Sequence, residues 1–164
     1  MTWRWRTIRA LALLVLLAYT APAVQASLLV SCTTSASGVA FGSYAPFSTS
    51  PTDSAGTVTV TCTPFLVGLL VSYTIALSTG NGGSYASRAM SNGLSPLQYQ
   101  LYTDPARTTV WGDGSAGTAT ISDGYTIALL APVTRNYTVY GRIPALQPVS
   151  PGTYVDTIMV TVAY

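Results

Sequence analysis

The chain has 164 residues, of which 49% are hydrophobic and 7% charged, with seven basic residues, five acidic residues and no histidine. From residue 27 onward there is no His, Lys or Glu, and the titratable side chains are five Asp, four Arg, two Cys and the tyrosines. This inventory excludes a Ser–His nucleophile and removes the usual general acid–base groups, so the function is expected in surfaces and strand edges and the chain is not expected to be an enzyme.

Residues 1–26 read as a secretory signal peptide. Arg4, Arg6 and Arg9 form its basic region, Ala10 to Ala18 its apolar run, and Val24-Gln25-Ala26 places small residues before a cut at Ser27. A membrane anchor is the rival, but the apolar run is shorter than the roughly 20 residues that span a bilayer. Cleavage leaves Arg88, Arg107, Arg135 and Arg142 against Asp53, Asp104, Asp113, Asp123 and Asp156, a formal charge of 4 − 5 = −1. Four scattered arginines make no basic stripe, so no nucleic-acid partner is expected. The remaining 164 − 26 = 138 residues suit one domain, 27–164.

Leu28, Leu29 and Val30 read as the start of a first strand. Cys32 and Cys62 both fall in the exported part, where an even pair most simply forms a disulfide. A zinc site and a reactive thiol are the rivals, and two cysteines without histidine do not complete a zinc site. Thr57–Thr63 alternates strictly, with Val58, Val60 and Cys62 on one face. The same period of two groups Tyr73, Ile75 and Leu77, then Leu97, Tyr99 and Leu101, then Tyr137, Val139, Gly141 and Ile143. It ends with Ile158, Val160, Val162 and Tyr164 over Thr157–Tyr164. Alternation of this kind marks half-buried antiparallel strands. Turn-forming clusters separate them, including Ser50-Pro51-Thr52-Asp53, Gly80-Asn81-Gly82-Gly83, Gly112-Asp113-Gly114 and Pro151-Gly152. Short strands with frequent turns point to a β-sandwich.

The aspartates are expected to serve turns, with Asp53 in a Pro-rich loop and Asp113 and Asp123 each before a glycine. Gly80-Asn81-Gly82-Gly83 is expected to be a flexible hairpin loop, since no Gly-Lys-Ser/Thr follows to make a phosphate cradle. Asn136-Tyr137-Thr138 fits a glycosylation sequon inside a strand pattern. The tyrosines also fit a sugar-binding reading, against which their inward strand positions argue for packing.

The order of segments resembles a known family. Cys32 comes first, followed by Val39-Ala40-Phe41-Gly42-Ser43-Tyr44, Gly56–Cys62, Tyr73–Ser78, Arg88-Ala89-Met90 and Leu97–Tyr102. Arg107–Gly114, Val139–Ile143 and Gly152–Ile158 complete the series. The chain resembles the spore coat protein U domain family, the subunits of archaic chaperone–usher pili. The resemblance implies an all-β, immunoglobulin-like antiparallel sandwich that lacks its last strand. The gap would leave a groove between the first and final strands, with Ile158, Val160, Val162 and Tyr164 as acceptor-groove or chaperone contacts. A periplasmic chaperone would fill it with a donated strand, and a neighbouring pilus subunit would replace that strand after delivery to an outer-membrane usher. The expected route is export to the periplasm and then the cell surface or pilus, with no stable membrane insertion and no cofactor. The final alternating strand runs to Tyr164, where one more strand would complete a sandwich. Only five residues precede Cys32 after the expected cut, too few for a donor strand, which suits a tip or terminal subunit. The rivals are a stand-alone spore-coat or matrix protein with a complete sandwich, a small outer-membrane β-barrel, and a carbohydrate-active enzyme.

Overall fold

A computed structural model describes residues 29–68 and 70–164 of the chain. The expected signal segment and Leu28 lie outside the described residues. Among the described residues eight strands follow in order: β1 (Val30–Ser37), β2 (Thr52–Pro64), β3 (Leu70–Leu77), β4 (Arg88–Ser91), β5 (Pro96–Tyr102), β6 (Ile121–Thr126), β7 (Val133–Ile143) and β8 (Val160–Ala163). All strand pairs are antiparallel. One sheet has the order β1-β2-β7-β5-β4 and the other β6-β3-β8.

The alternating residues of both sheets meet in one core. Val58, Val60 and Cys62 of β2 and Tyr73, Ile75 and Leu77 of β3 are at most 3% exposed. Leu97, Tyr99 and Leu101 of β5 and Val139 and Ile143 of β7 join them. Each fully buried Val, Ile or Leu contributes about 1.5–3 kcal/mol relative to exposure. Period-2 patterning thus sorts the threonines outward and the aliphatic groups inward.

Polar groups lock one end of this core. Trp111 is fully buried and its indole N–H donates to Ile75 O at 3.0 Å. Arg88 is also fully buried. Its guanidinium donates to Ser78 O, Trp111 O and Gln100 Oε1 at 2.7–3.1 Å and stacks on the Tyr85 ring. Burial lowers the Arg88 pKa from its ordinary value, and these donated bonds replace the water it has lost. Gly141, on the inward face of β7, has a local reason to be glycine. A Cβ there would lie 2.6 Å from a Val39 methyl and 2.7 Å from the Phe41 ring. The missing side chain lets the segment after β1 cross the inside of the sheet.

Several residues sit differently from the sequence expectation. Asp53 is not in a loop but on β2, where Arg142 binds it bidentately at 2.7 and 2.8 Å and Arg107 approaches to 3.3 Å. Asp123 is on β6 and accepts from the Tyr137 hydroxyl. Asp104 and Asp113 do hold turns, accepting from Thr108, Thr109 and Ser115 backbone N–H groups. Gly80–Gly83 joins β3 to β4, which belong to different sheets, so it is an inter-sheet connection and not a hairpin. The ladder of the last strand covers only Val160–Ala163 because residues before it are still crossing from the other sheet.

Candidate strand-accepting groove

The register of β1 on β2 shows where the sandwich is open. Cys32, Thr34 and Ala36 lie opposite Cys62, Val60 and Val58. Directly opposed residues of an antiparallel pair share a face, so all three point inward. Yet their β2 partners are 1% exposed while Thr34 and Ala36 are exposed and Cys32 is half-buried. The three-stranded sheet therefore covers β2 and stops short of β1.

The other wall of the opening is β8. Ile158, Val160 and Val162 pack against the core but remain half-buried. The intervening Met159, Thr161 and Ala163 face outward and are exposed. β8 pairs with β3 on one side, through Leu77↔Val160 to Thr74↔Ala163. Ser78 N–H donates to Met159 O at 3.0 Å, whereas Leu77 N–H turns away to Gly112 O. Backbone direction alternates along an antiparallel strand. The N–H and C=O groups of Val160 and Val162 consequently point to the open side, and among the described residues no strand pairs with them.

A cavity of about 300 Å³ lies in this gap. Ala36 from β1, Val58 from β2, Val139 from β7 and Leu77 from β3 line it together with Ile158 and Val160. Tyr164 does not join that cavity. It is 41% exposed and lies at the opposite end of β8, near Val30. Val30 is 5% exposed and opens β1, while Leu29 precedes the strand and its carbonyl accepts from Phe65 N–H at 2.9 Å. Cys32 and Cys62 are joined by a disulfide with their Cα atoms 4.0 Å apart, tying the groove's edge strand to its floor.

Across the sandwich, polar side chains bridge β3, β6 and β7. The Tyr73 and Tyr137 hydroxyls meet at 2.5 Å, and Tyr137 donates to Asp123 at 2.5 Å. Burial first, then the bond to Asp123, pushes the Tyr137 pKa up; the same bond holds Asp123 below its ordinary value. These tyrosines bond to one another and to Asp123. Among the described residues there is no group of three metal-ligating side chains. No described helix is long and apolar enough to cross a membrane. What the open rim offers chemically is a row of backbone donors and acceptors above a largely apolar floor of Val58, Leu77 and Val139, the arrangement that binds an extended strand.

Sequence reasoning grouped Ile158, Val160 and Val162 on one face by their alternation, and in the structure all three pack against the core. It missed the inward face of β1, because Cys32-Thr33-Thr34-Ser35-Ala36-Ser37 carries no apolar period. Only the register onto Val58 and Val60 reveals which of those side chains face the groove. Val39 and Phe41 also line the cavity, and no strand period marks them in the sequence.

The model of the Spore Coat Protein U domain matches residues 18–161. The chain is 37% identical over 117 residues to "Protein U" of Myxococcus xanthus, a match covering 66% of this chain and 59% of that protein. It also matches a chain of the crystal structure of the CsuC–CsuE chaperone–tip adhesion subunit pre-assembly complex from archaic chaperone–usher Csu pili of Acinetobacter baumannii. There the TM-score is 0.54 at 26% identity, covering 83% of this chain and 40% of that one. The matches thus cover less than two thirds of the length of each relative.

Proposed function

From the premise that the chain belongs to the Spore Coat Protein U domain family, we propose that it is a structural subunit of a bacterial surface fibre of the chaperone–usher type. The observation that carries this reading is the uncovered inward face of β1 at Thr34 and Ala36, beside the unpaired edge of β8. A strand inserted there would pair with Val160 and Val162 and place alternate side chains on Val58, Leu77 and Val139. Residues 1–26 direct export, a periplasmic chaperone supplies the first strand, and a neighbouring subunit replaces it at the outer-membrane usher. The matched complex contains a tip adhesion subunit, which supports a tip position for this chain.

An open edge of this kind is also an aggregation hazard unless filled, which is the physical reason for a chaperone. Expression of the precursor in a bacterial periplasm, with and without the chaperone encoded beside it, tests the reading. Soluble protein only as a one-to-one complex is expected. Abundant soluble monomer without chaperone would overturn it in favour of a stand-alone coat protein, in keeping with the family's description as a spore coat protein domain.

A further inference from the structure

We infer that Asp156 is the positioning residue of the groove: its carboxylate ties the segment carrying the Ile158–Val160 wall to both sheets at once. The inference rests on the strand-capture reading above. At Val155 this segment still belongs to the five-stranded sheet, exchanging two backbone hydrogen bonds with Ser91 of β4 at 3.0 and 3.1 Å. By Met159 it belongs to the other sheet, bonded to Ser78 through Met159 O and Met159 N–H, each at 3.0 Å. The residues between, 156–158, have no ladder on either side.

Asp156 bridges that interval. Its Oδ1 accepts from Asn81 N–H at 2.8 Å and from Thr157 N–H at 2.7 Å. Its Oδ2 accepts from the Tyr99 hydroxyl at 2.6 Å. Tyr99 is a buried residue of β5, in one sheet, and Asn81 lies in the connection that leaves β3, in the other. Gly80 is shaped for the same contact. It has φ +71°, and a Cβ there would sit 2.1 Å from Asp156 Oδ2 and 2.9 Å from Ile158 Cδ1. Tyr99, Asp156, Ile158 and Val160 line one cavity, the groove itself. Charge-assisted bonds of this length are the strong ones, and three of them converge on the turn that aims β8.

The test uses the exported chain, purified with its chaperone and then released at low concentration, and a synthetic peptide of about ten residues alternating valine and threonine as the incoming strand. Affinity, release rate and amide exchange are measured for the natural protein, Asp156→Ala, Asp156→Asn and Tyr99→Phe. Asp156→Ala is expected to weaken capture about tenfold or more, mainly by faster release. Asp156→Asn and Tyr99→Phe, each keeping part of the clasp, fall between. Exchange should quicken at Thr161 and Ala163, the amides of β8 that bond to β3, while β2 and β7 amides stay protected, which a merely structural role would not do. Capture by Asp156→Ala equal to that of the natural protein overturns the inference. If that variant does not fold, unchanged capture by both Asp156→Asn and Tyr99→Phe overturns it. Failure of the natural protein to bind the peptide, with an aspartate-substituted peptide as control, overturns the strand-capture reading instead.

Discussion

Val160→Asp separates the groove from the rest of the fold. Val160 faces Leu77 across the β3–β8 pair and shares the 300 Å³ cavity with Ala36 and Val58. In the free chain the position is half-buried, so a carboxylate there keeps contact with water. The cost to folding is then the lost apolar burial of a partly covered valine, about 1 kcal/mol. An incoming strand would close that access and bury the charge without a partner. The effective penalty for burying an unpaired ion is several kcal/mol; about 3–4 kcal/mol corresponds to roughly 10²–10³-fold weaker capture. Thr161→Asp is the control, since Thr161 is exposed on the outer face of the same strand, where a substitution changes energies by about 0.5 kcal/mol or less. Chaperone co-elution or peptide titration reads both variants beside thermal melts. Equal loss for both, or full capture by Val160→Asp, would refute the assignment of this face to the groove.

The double variant Cys32→Ser/Cys62→Ser removes a bond across a sequence separation of 30 and should lower stability by roughly 3.5 kcal/mol; denaturant melts with reductant should bring the natural protein down to the same midpoint and leave the variant unmoved. Arg88→Met strips Ser78 O, Trp111 O and Gln100 of their buried donor and should cost about 3 kcal/mol or more, with Arg88→Lys recovering only part, since an ammonium cannot reproduce the fork; urea unfolding measures both. Asp53, Asp104, Asp113 and Asp123 are held below the ordinary carboxylate value by, respectively, Arg142, the Thr109 N–H, the Ser115 hydroxyl and the Tyr137 hydroxyl. The folded chain therefore binds these protons more weakly than the unfolded chain. This stability is present above the ordinary value of 3.8 and is lost as pH falls through the lower folded values, which melts recorded at neutral pH and below about pH 3 should show.

The central strands were legible because each turns one face to the core. Thr57–Thr63, Tyr73–Leu77, Leu97–Tyr102 and Tyr137–Ile143 alternate because one side meets the core and the other meets water. The strands that alternation did not reveal are at or near sheet edges. β4 has four residues and holds the buried Arg88, and β6 carries Asp123 inward to meet Tyr137. Neither shows an apolar period, since hydrogen bonding does part of the work that packing does elsewhere. Asp53 looked like a loop residue because Pro51 precedes it, and only its strand partner Arg142 explains the placement. The groove was half legible for a related reason. Its β8 wall is apolar and patterned, but its β1 wall is Thr34 and Ala36, whose inward direction is a property of register and not of composition.

Amide hydrogen exchange at Val160 and Val162 tests the central claim most directly. The account predicts rapid exchange at both in the uncomplexed chain and strong protection once a strand or the chaperone is bound. Thr161 and Ala163, whose backbone groups point to β3, should be protected in either state. Protection at Val160 and Val162 without a partner, or exchange there that a bound chaperone leaves unchanged, would contradict it.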